Sequence, residues 1–228
     1  MTLHNTPVYK QEEATGEGYN LSRRRFFQLT GGIAGAGIIL SSCKKTPTST
    51  IFLGTGDTAL LNYFYILEQL EAAFYTQAVA TPYYGITASE TQLLADVRDH
   101  EIAHKDFLKT LLGTGAITDI VPNLSAVVFA DRTSVLSHAY AFEDLGVSAY
   151  NGAAELFTNT AYAIELAKIV SVEARHAAYF RDILHYDTFA DSTVISPNGL
   201  DQKNSPQAVL AIAQAYIQTT FDSRKLPN

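Results

Sequence analysis

Two short segments of the chain carry the same ligand pattern, Glu101-Ile102-Ala103-His104 and Glu173-Ala174-Arg175-His176. Residues three apart share one face of a helix, so each segment aims a carboxylate and an imidazole in one direction. Glu68 and Glu143 extend the set: each follows a large apolar residue, Leu67 or Phe142, and each precedes a tyrosine by seven residues, Tyr75 or Tyr150. Seven residues are about two helical turns, so each tyrosine shares a face with its glutamate. The intervals agree too, with 33 residues from Glu68 to Glu101 and 30 from Glu143 to Glu173. One Glu-x-x-His arises by chance in helices; two of them, interleaved in order with two Glu-bearing helices, form a strong pattern. Four carboxylates balance two divalent cations and can bridge them, and imidazole adds a nitrogen donor suited to iron and other transition metals. Di-iron and di-manganese bundles use this donor set, one Glu from each of two helices and a Glu-x-x-His from each of the others. Without cations or protons, such a cluster is strongly self-repelling.

Other residues compete for roles. Glu71 lies three after Glu68 and could serve in its place, but the repeat sets Gly146 opposite Glu71, which favours Glu68. Glu71 is then an extra ligand or a partly solvated neighbour. Tyr75 and Tyr150 read as core tyrosines able to hydrogen-bond ligand carboxylates. His100 and His138 fall outside the repeat and read as ordinary surface or packing histidines, and His185 as a helix-end residue. Asp99, Asp106, Asp144 and Asp182 are either near the ligands or solvent-facing.

Helices must position these groups. Asp57 or Thr58 can cap a first helix to about Ala80, with Leu60, Leu61, Phe64, Leu67, Phe74 and Ala78 at helical spacing. Thr81-Pro82 and Gly85 end it. A second helix is expected from Ser89 to near Gly113, and residues 114–132, with Gly, Pro, Asn and Asp, read as a long crossing loop. A third is expected from about Arg132 to Thr158. A fourth follows a cap at Asn159 or Thr160 and runs to about His185. Ser205-Pro206 starts a fifth, to about Phe221. The expected fold is all-α: a four-helix bundle with a long crossover between helices 2 and 3 and an extra C-terminal helix. The domain would cover residues 57–222.

On these residues, over roughly 57–187, the chain resembles the ferritin-like superfamily, and more narrowly the exported ferritin-like domain group that includes desiccation-related proteins. The resemblance implies two Fe or two Mn ions held by Glu68, Glu101, His104, Glu143, Glu173 and His176, and reaction with oxygen or hydrogen peroxide. A peroxidase, catalase-like or ferroxidase activity would follow. The alternative it implies is a metal-binding or desiccation-related structural protein without turnover. The single cysteine, Cys43, excludes an internal disulfide and a four-cysteine rubredoxin-type site in the chain, so electron delivery of the rubrerythrin kind is excluded.

The N-terminus reads as an address. Ser22-Arg23-Arg24-Arg25-Phe26-Phe27 holds a twin-arginine pair, an apolar Gly-rich run follows from Leu29 to Leu40, and Leu40-Ser41-Ser42-Cys43 ends it. The run is short for a membrane span, which needs roughly 20 residues. Residues 1–43 thus resemble a Tat-type lipoprotein signal, which implies cleavage before Cys43, lipidation of its thiol, and an exported protein held on a cell-envelope membrane. Residues 44–56 would be a tether. The net charge is −7, and the first 43 residues contribute +1 (four Lys and Arg against three Glu), leaving −8 for the rest. With no long basic run beyond residue 25, phosphate-driven nucleic-acid binding is not expected. A homo-oligomer remains compatible with the sequence, although a lipid-tethered chain is ill suited to closing a soluble cage.

Overall fold

The computed structural model describes residues 50–228; the signal segment, Cys43 and residues 44–49 of the tether expected from the sequence lie outside the described residues, whereas residues 50–56, also expected as tether, hold a short strand at Ile51–Phe52 and the buried Leu53. Helices dominate. They are α1 (Gly56–Ala80), α2 (Ala88–Leu112), α3 (Arg132–Ala153), α4 (Thr160–Leu184) and a short α5 (Pro206–Ala213). The first four pack as two hairpins, α1 against α2 and α3 against α4, with α1 also meeting α3. The all-α bundle expected from the sequence is therefore present, with its crossover between α2 and α3 and its extra C-terminal helix. Among the described residues, no helix is long and apolar enough to cross a membrane.

The helix starts follow local chemistry. Thr87, two residues before the expected start of α2, makes a full capping box with Glu90. Asp131 and Asn159 accept backbone N–H groups at the heads of α3 and α4. Ser205 caps α5, and Pro206 takes the first helical position, where no N–H is needed.

Burial separates the helices into two kinds. α1 is buried on nearly every side, including Leu60, Phe64, Leu67, Phe74 and Tyr75, as befits a central helix. α2 and α4 are outer helices with one narrow stripe each. Leu94, Val97, Glu101 and Leu108 are the buried residues of α2, and Leu166, Ile169, Glu173 and Phe180 repeat the series in α4, each 72 positions later. Glu101 and Glu173 thus interrupt otherwise apolar seams, and His104 and His176 occupy the next step of the same series.

Polar side chains of α1 fasten the crossover to its flank. Asn62 donates to the carbonyls of Leu53 and Gly115 and accepts from Ile117 N, while Gln69 accepts from Ile120 N. Asp57, expected as a helix cap, instead accepts from Thr158 and Asn159 and ties the α3–α4 turn to the head of α1.

Two helix ends differ from expectation. α3 stops at Ala153 and tightens into a 3₁₀ turn at Ala154–Leu156, short of Thr158, because Thr158 and Asn159 turn away to Asp57. α5 stops at Ala213 and a 3₁₀ turn at Gln214–Tyr216 follows. Gln214 then uses its side-chain amide on the carbonyls of Ile217 and Thr219, and the chain becomes extended. That extended tail forms β2 (Phe221–Asp222), paired in parallel with β1 (Ile51–Phe52). The approach to α5 passes so close to α3 that a Cβ on Gly152 would lie 1.8 Å from the carbonyl oxygen of Asn204.

Candidate metal centre

The six residues singled out by the motif converge inside the bundle. Two groups form, each with its donor atoms within 4.8 Å of one another: Glu68, Glu101, His104 and Glu173 in one, and Glu101, Glu143, Glu173 and His176 in the other. Glu101 and Glu173 belong to both. The carboxylates of the two Glu-x-x-His helices are therefore central, Glu68 and Glu143 lie on opposite flanks, and each flank has its own imidazole. All four glutamates are 0% exposed.

Both histidines point Nδ1 inward. His104 Nδ1 lies 2.8 Å from Glu173, 3.3 Å from Glu101 and 3.5 Å from Glu68. His176 Nδ1 lies 3.0 Å from Glu101, 3.2 Å from Glu143 and 3.9 Å from Glu173. A single N–H cannot serve three carboxylates. Accordingly Glu68 Oε2, Glu101 Oε1 and both oxygens of Glu173 are buried without a hydrogen bond. Buried acceptors left unpaired are costly, and a cation beside each Nδ1 would satisfy all of them together. The residues present therefore fit a metal at each position.

The tyrosines cross the bundle. Tyr75 of α1 donates to Glu143 of α3, and Tyr150 of α3 donates to Glu68 of α1. The seven-residue spacing expected each tyrosine on the face of its own helix's glutamate; the structure pairs it with the glutamate of the facing helix. Each ring is held by a stacking partner, Tyr150 by Phe64 at 4.2 Å and Tyr75 by Phe180 at 5.8 Å.

Burial decides the protonation of the cluster. It pushes Glu68 up to about 8, with the charge of Glu173 adding to the effect. Burial likewise raises Glu71 and Glu143 well above the usual carboxyl range, reinforced by neighbouring carboxylates. For Glu173 the burial penalty is overcome by His104 and His176, which bring it down to about 2. The same contacts outweigh burial at the two imidazoles, raising His176 to about 12 and His104 further still. The raised values favour protons on these buried groups in the absence of any cation.

Glu71 is neither a member of the two donor groups nor a solvated neighbour. It is buried, and its Oε1 lies where a Cβ on Gly146 would come within 3.2 Å. Small Gly146 makes room for a fifth carboxylate on one side of an otherwise symmetric centre.

The remaining candidates divide. His138 bonds the Ser134 carbonyl and packs on Phe142 and Tyr216, as a packing histidine. Asp99 and Asp106 are exposed beside Arg98 and Lys105. Asp182 accepts from Asp187 N. Asp144 turns away from the centre toward buried Arg181; burial raises it to about 7 in spite of that partner. His100 departs from the sequence reading: its Nδ1 lies 2.9 Å from Nε2 of His176. Its position one before Glu101 was the available signal, but the contact reaches across to another helix and has no motif.

The fold and centre define a four-helix bundle with a buried carboxylate–imidazole cluster able to hold metal. The family model of the ferritin-like domain matches residues 56–186, and the chain belongs to that family. No curated protein matches the chain closely enough to serve as a relative.

Proposed function

We propose that this protein is an exported, lipid-anchored di-metal carboxylate protein that takes up two iron or two manganese ions and reacts with oxygen or hydrogen peroxide in oxidative or stress protection. The observation that carries the reading is the division of six ligand side chains into two groups sharing Glu101 and Glu173. Shared carboxylates between two imidazole-bearing positions suit a pair of adjacent cations. A redox-active pair bound there would supply the electrons for reducing oxygen or peroxide.

The chain's own residues do the rest. Tyr75 and Tyr150 hold one oxygen of each flanking carboxylate and fix its orientation. Nδ1 of each imidazole is presented inward. The full burial of the glutamates keeps bulk solvent from the cluster. Cation uptake must also displace the protons held by Glu68, Glu143 and the histidines.

The closed site equally favours a second reading, metal binding or structural stress protection without turnover. One experiment separates them: metal analysis of the full-length chain, followed by oxygen and peroxide consumption assays. Two Fe or Mn per chain with turnover supports the oxidoreductase; metal without turnover supports the binding protein; absence of metal leaves a structural role and overturns the first reading. Export and anchoring in this reading rest on the arginine segment Arg23-Arg24-Arg25 and on Cys43. Replacing Cys43 by Ala should release the protein from the membrane fraction.

A further inference from the structure

We propose that His100 is the positioning residue for His176, and that it makes the two metal positions unequal. The two rings are only 7° from parallel, with centroids 5.1 Å apart and nitrogens 2.9 Å apart. The centroid separation exceeds the N···N distance by about two ring radii, so the nitrogens must lie on the line joining the ring centres. The rings therefore meet edge to edge in one plane, in line for a hydrogen bond, and are not stacked face to face.

This contact has a direction once a metal is considered. A metal on Nδ1 of His176 requires the ring proton on Nε2, and that N–H then donates to Nδ1 of His100. The outer histidine thus selects the ligating tautomer of His176 and fixes its rotation. It does so from outside the cluster, since His100 is exposed while His176 is buried. A ligating imidazole depends on such an outer partner for basicity and orientation.

The other imidazole lacks the device. Subtracting the 72-residue offset from His176 gives His104, and adding it to His100 gives Val172, which has no ring nitrogen. Every contact of His104 with the cluster runs through Nδ1, and among the described residues no protein group hydrogen-bonds its Nε2. Among the described residues, the pseudo-symmetric centre therefore has one imidazole held by a protein partner at its outer nitrogen and one without such a partner. The position beside His176 should bind metal more tightly.

This inference rests on the metal-binding reading above, so the test measures both. The full-length chain, stripped of metal, is titrated anaerobically with Mn(II), the free ion being followed by its EPR signal. Wild type should take up two Mn(II) in unequal steps. In a His104→Ala background, which leaves the His176 position, His100→Ala should weaken Mn(II) binding about 10- to 100-fold, the usual effect of removing such an outer partner. His100→Gln, which can still accept from Nε2–H, should restore most of it. In a His176→Ala background, His100→Ala should change nothing further. Unaltered affinity in the first background, no recovery with Gln, or an equal loss in the second overturns the assignment of His100 while leaving the metal reading intact. Failure of wild type to bind Mn(II) or Fe(II) overturns the metal reading itself. Helix content by circular dichroism confirms that each variant folds, and the Gln variant carries the test if the Ala variant does not.

Discussion

The hydroxyl of Tyr150 on α3 donates to Glu68 on α1, and the reciprocal pair, Tyr75 and Glu143, runs the opposite way between the same helices. These two bonds join the hairpins at the depth of the ligands. They also orient the flanking carboxylates before any cation arrives.

Replacing Tyr150 by Phe keeps the ring stacked on Phe64 but leaves Glu68 with a second unpaired buried oxygen. Such a loss typically costs about 1–3 kcal/mol. Thermal unfolding of the metal-free protein should show this, and Tyr75→Phe should behave alike. Equal stability of variant and wild type would show that the bond is idle.

The shared and flanking carboxylates should differ in consequence. Glu101→Gln or Glu173→Gln touches both donor groups and should remove both bound metals. Glu68→Gln or Glu143→Gln touches one group and should spare the other. Metal per chain after dialysis distinguishes the two patterns.

Gly146 and Glu71 should be energetically coupled. In a helix, Gly→Ala ordinarily gains up to about 1 kcal/mol. Here the new Cβ would press on Glu71 Oε1 at 3.2 Å, so Gly146→Ala should be neutral or destabilising. With Glu71→Ala alongside, the same change should stabilise. A double-mutant cycle should read a coupling of about 0.5–3 kcal/mol; strict additivity would deny the contact.

The metal-free protein should lose stability as pH rises. Glu68 has a folded value of about 8 against 4.5 ordinarily, so between those values the folded state holds a proton that the unfolded state has released. The stabilisation is complete below the lower value and is lost as pH climbs through the higher one. The histidines act in the same sense above 6.5. Glu173, which is lowered, acts oppositely only below 4.5 and so leaves this window untouched. Melting temperatures from pH 5 to 8 should fall without metal, and bound metal should flatten the slope because cations replace those protons.

Gly152→Ala should undock the C-terminal segment, because a Cβ there would overlap the Asn204 carbonyl. Clashes of this kind cost about 1–3 kcal/mol or more. Hydrogen exchange over residues 203–222 should quicken while metal uptake persists, since no ligand lies in that segment.

The helices and the convergence of the six Glu and His residues were legible because their signals are local. Spacing of three within a helix, and the matching of one hairpin to the next, can be read along the chain. The ends of α3 and α5 were not, since Thr158 answers to Asp57 and Gln214 to carbonyls beyond it. Glu71 looked like a rival to Glu68 because both share a helix face; the repeat, which sets Gly146 opposite Glu71, already favoured Glu68, and the structure places Glu68 and not Glu71 in a donor group.

By itself the sequence determined which side chains face the bundle core and in what order, because helical periodicity turns spacing directly into direction. Tertiary packing alone decided that Tyr75 serves Glu143, that Glu101 and Glu173 are the shared carboxylates, and that His100 meets His176. Those are relations between helices, set by how the two hairpins close on each other, and no spacing within one helix encodes them.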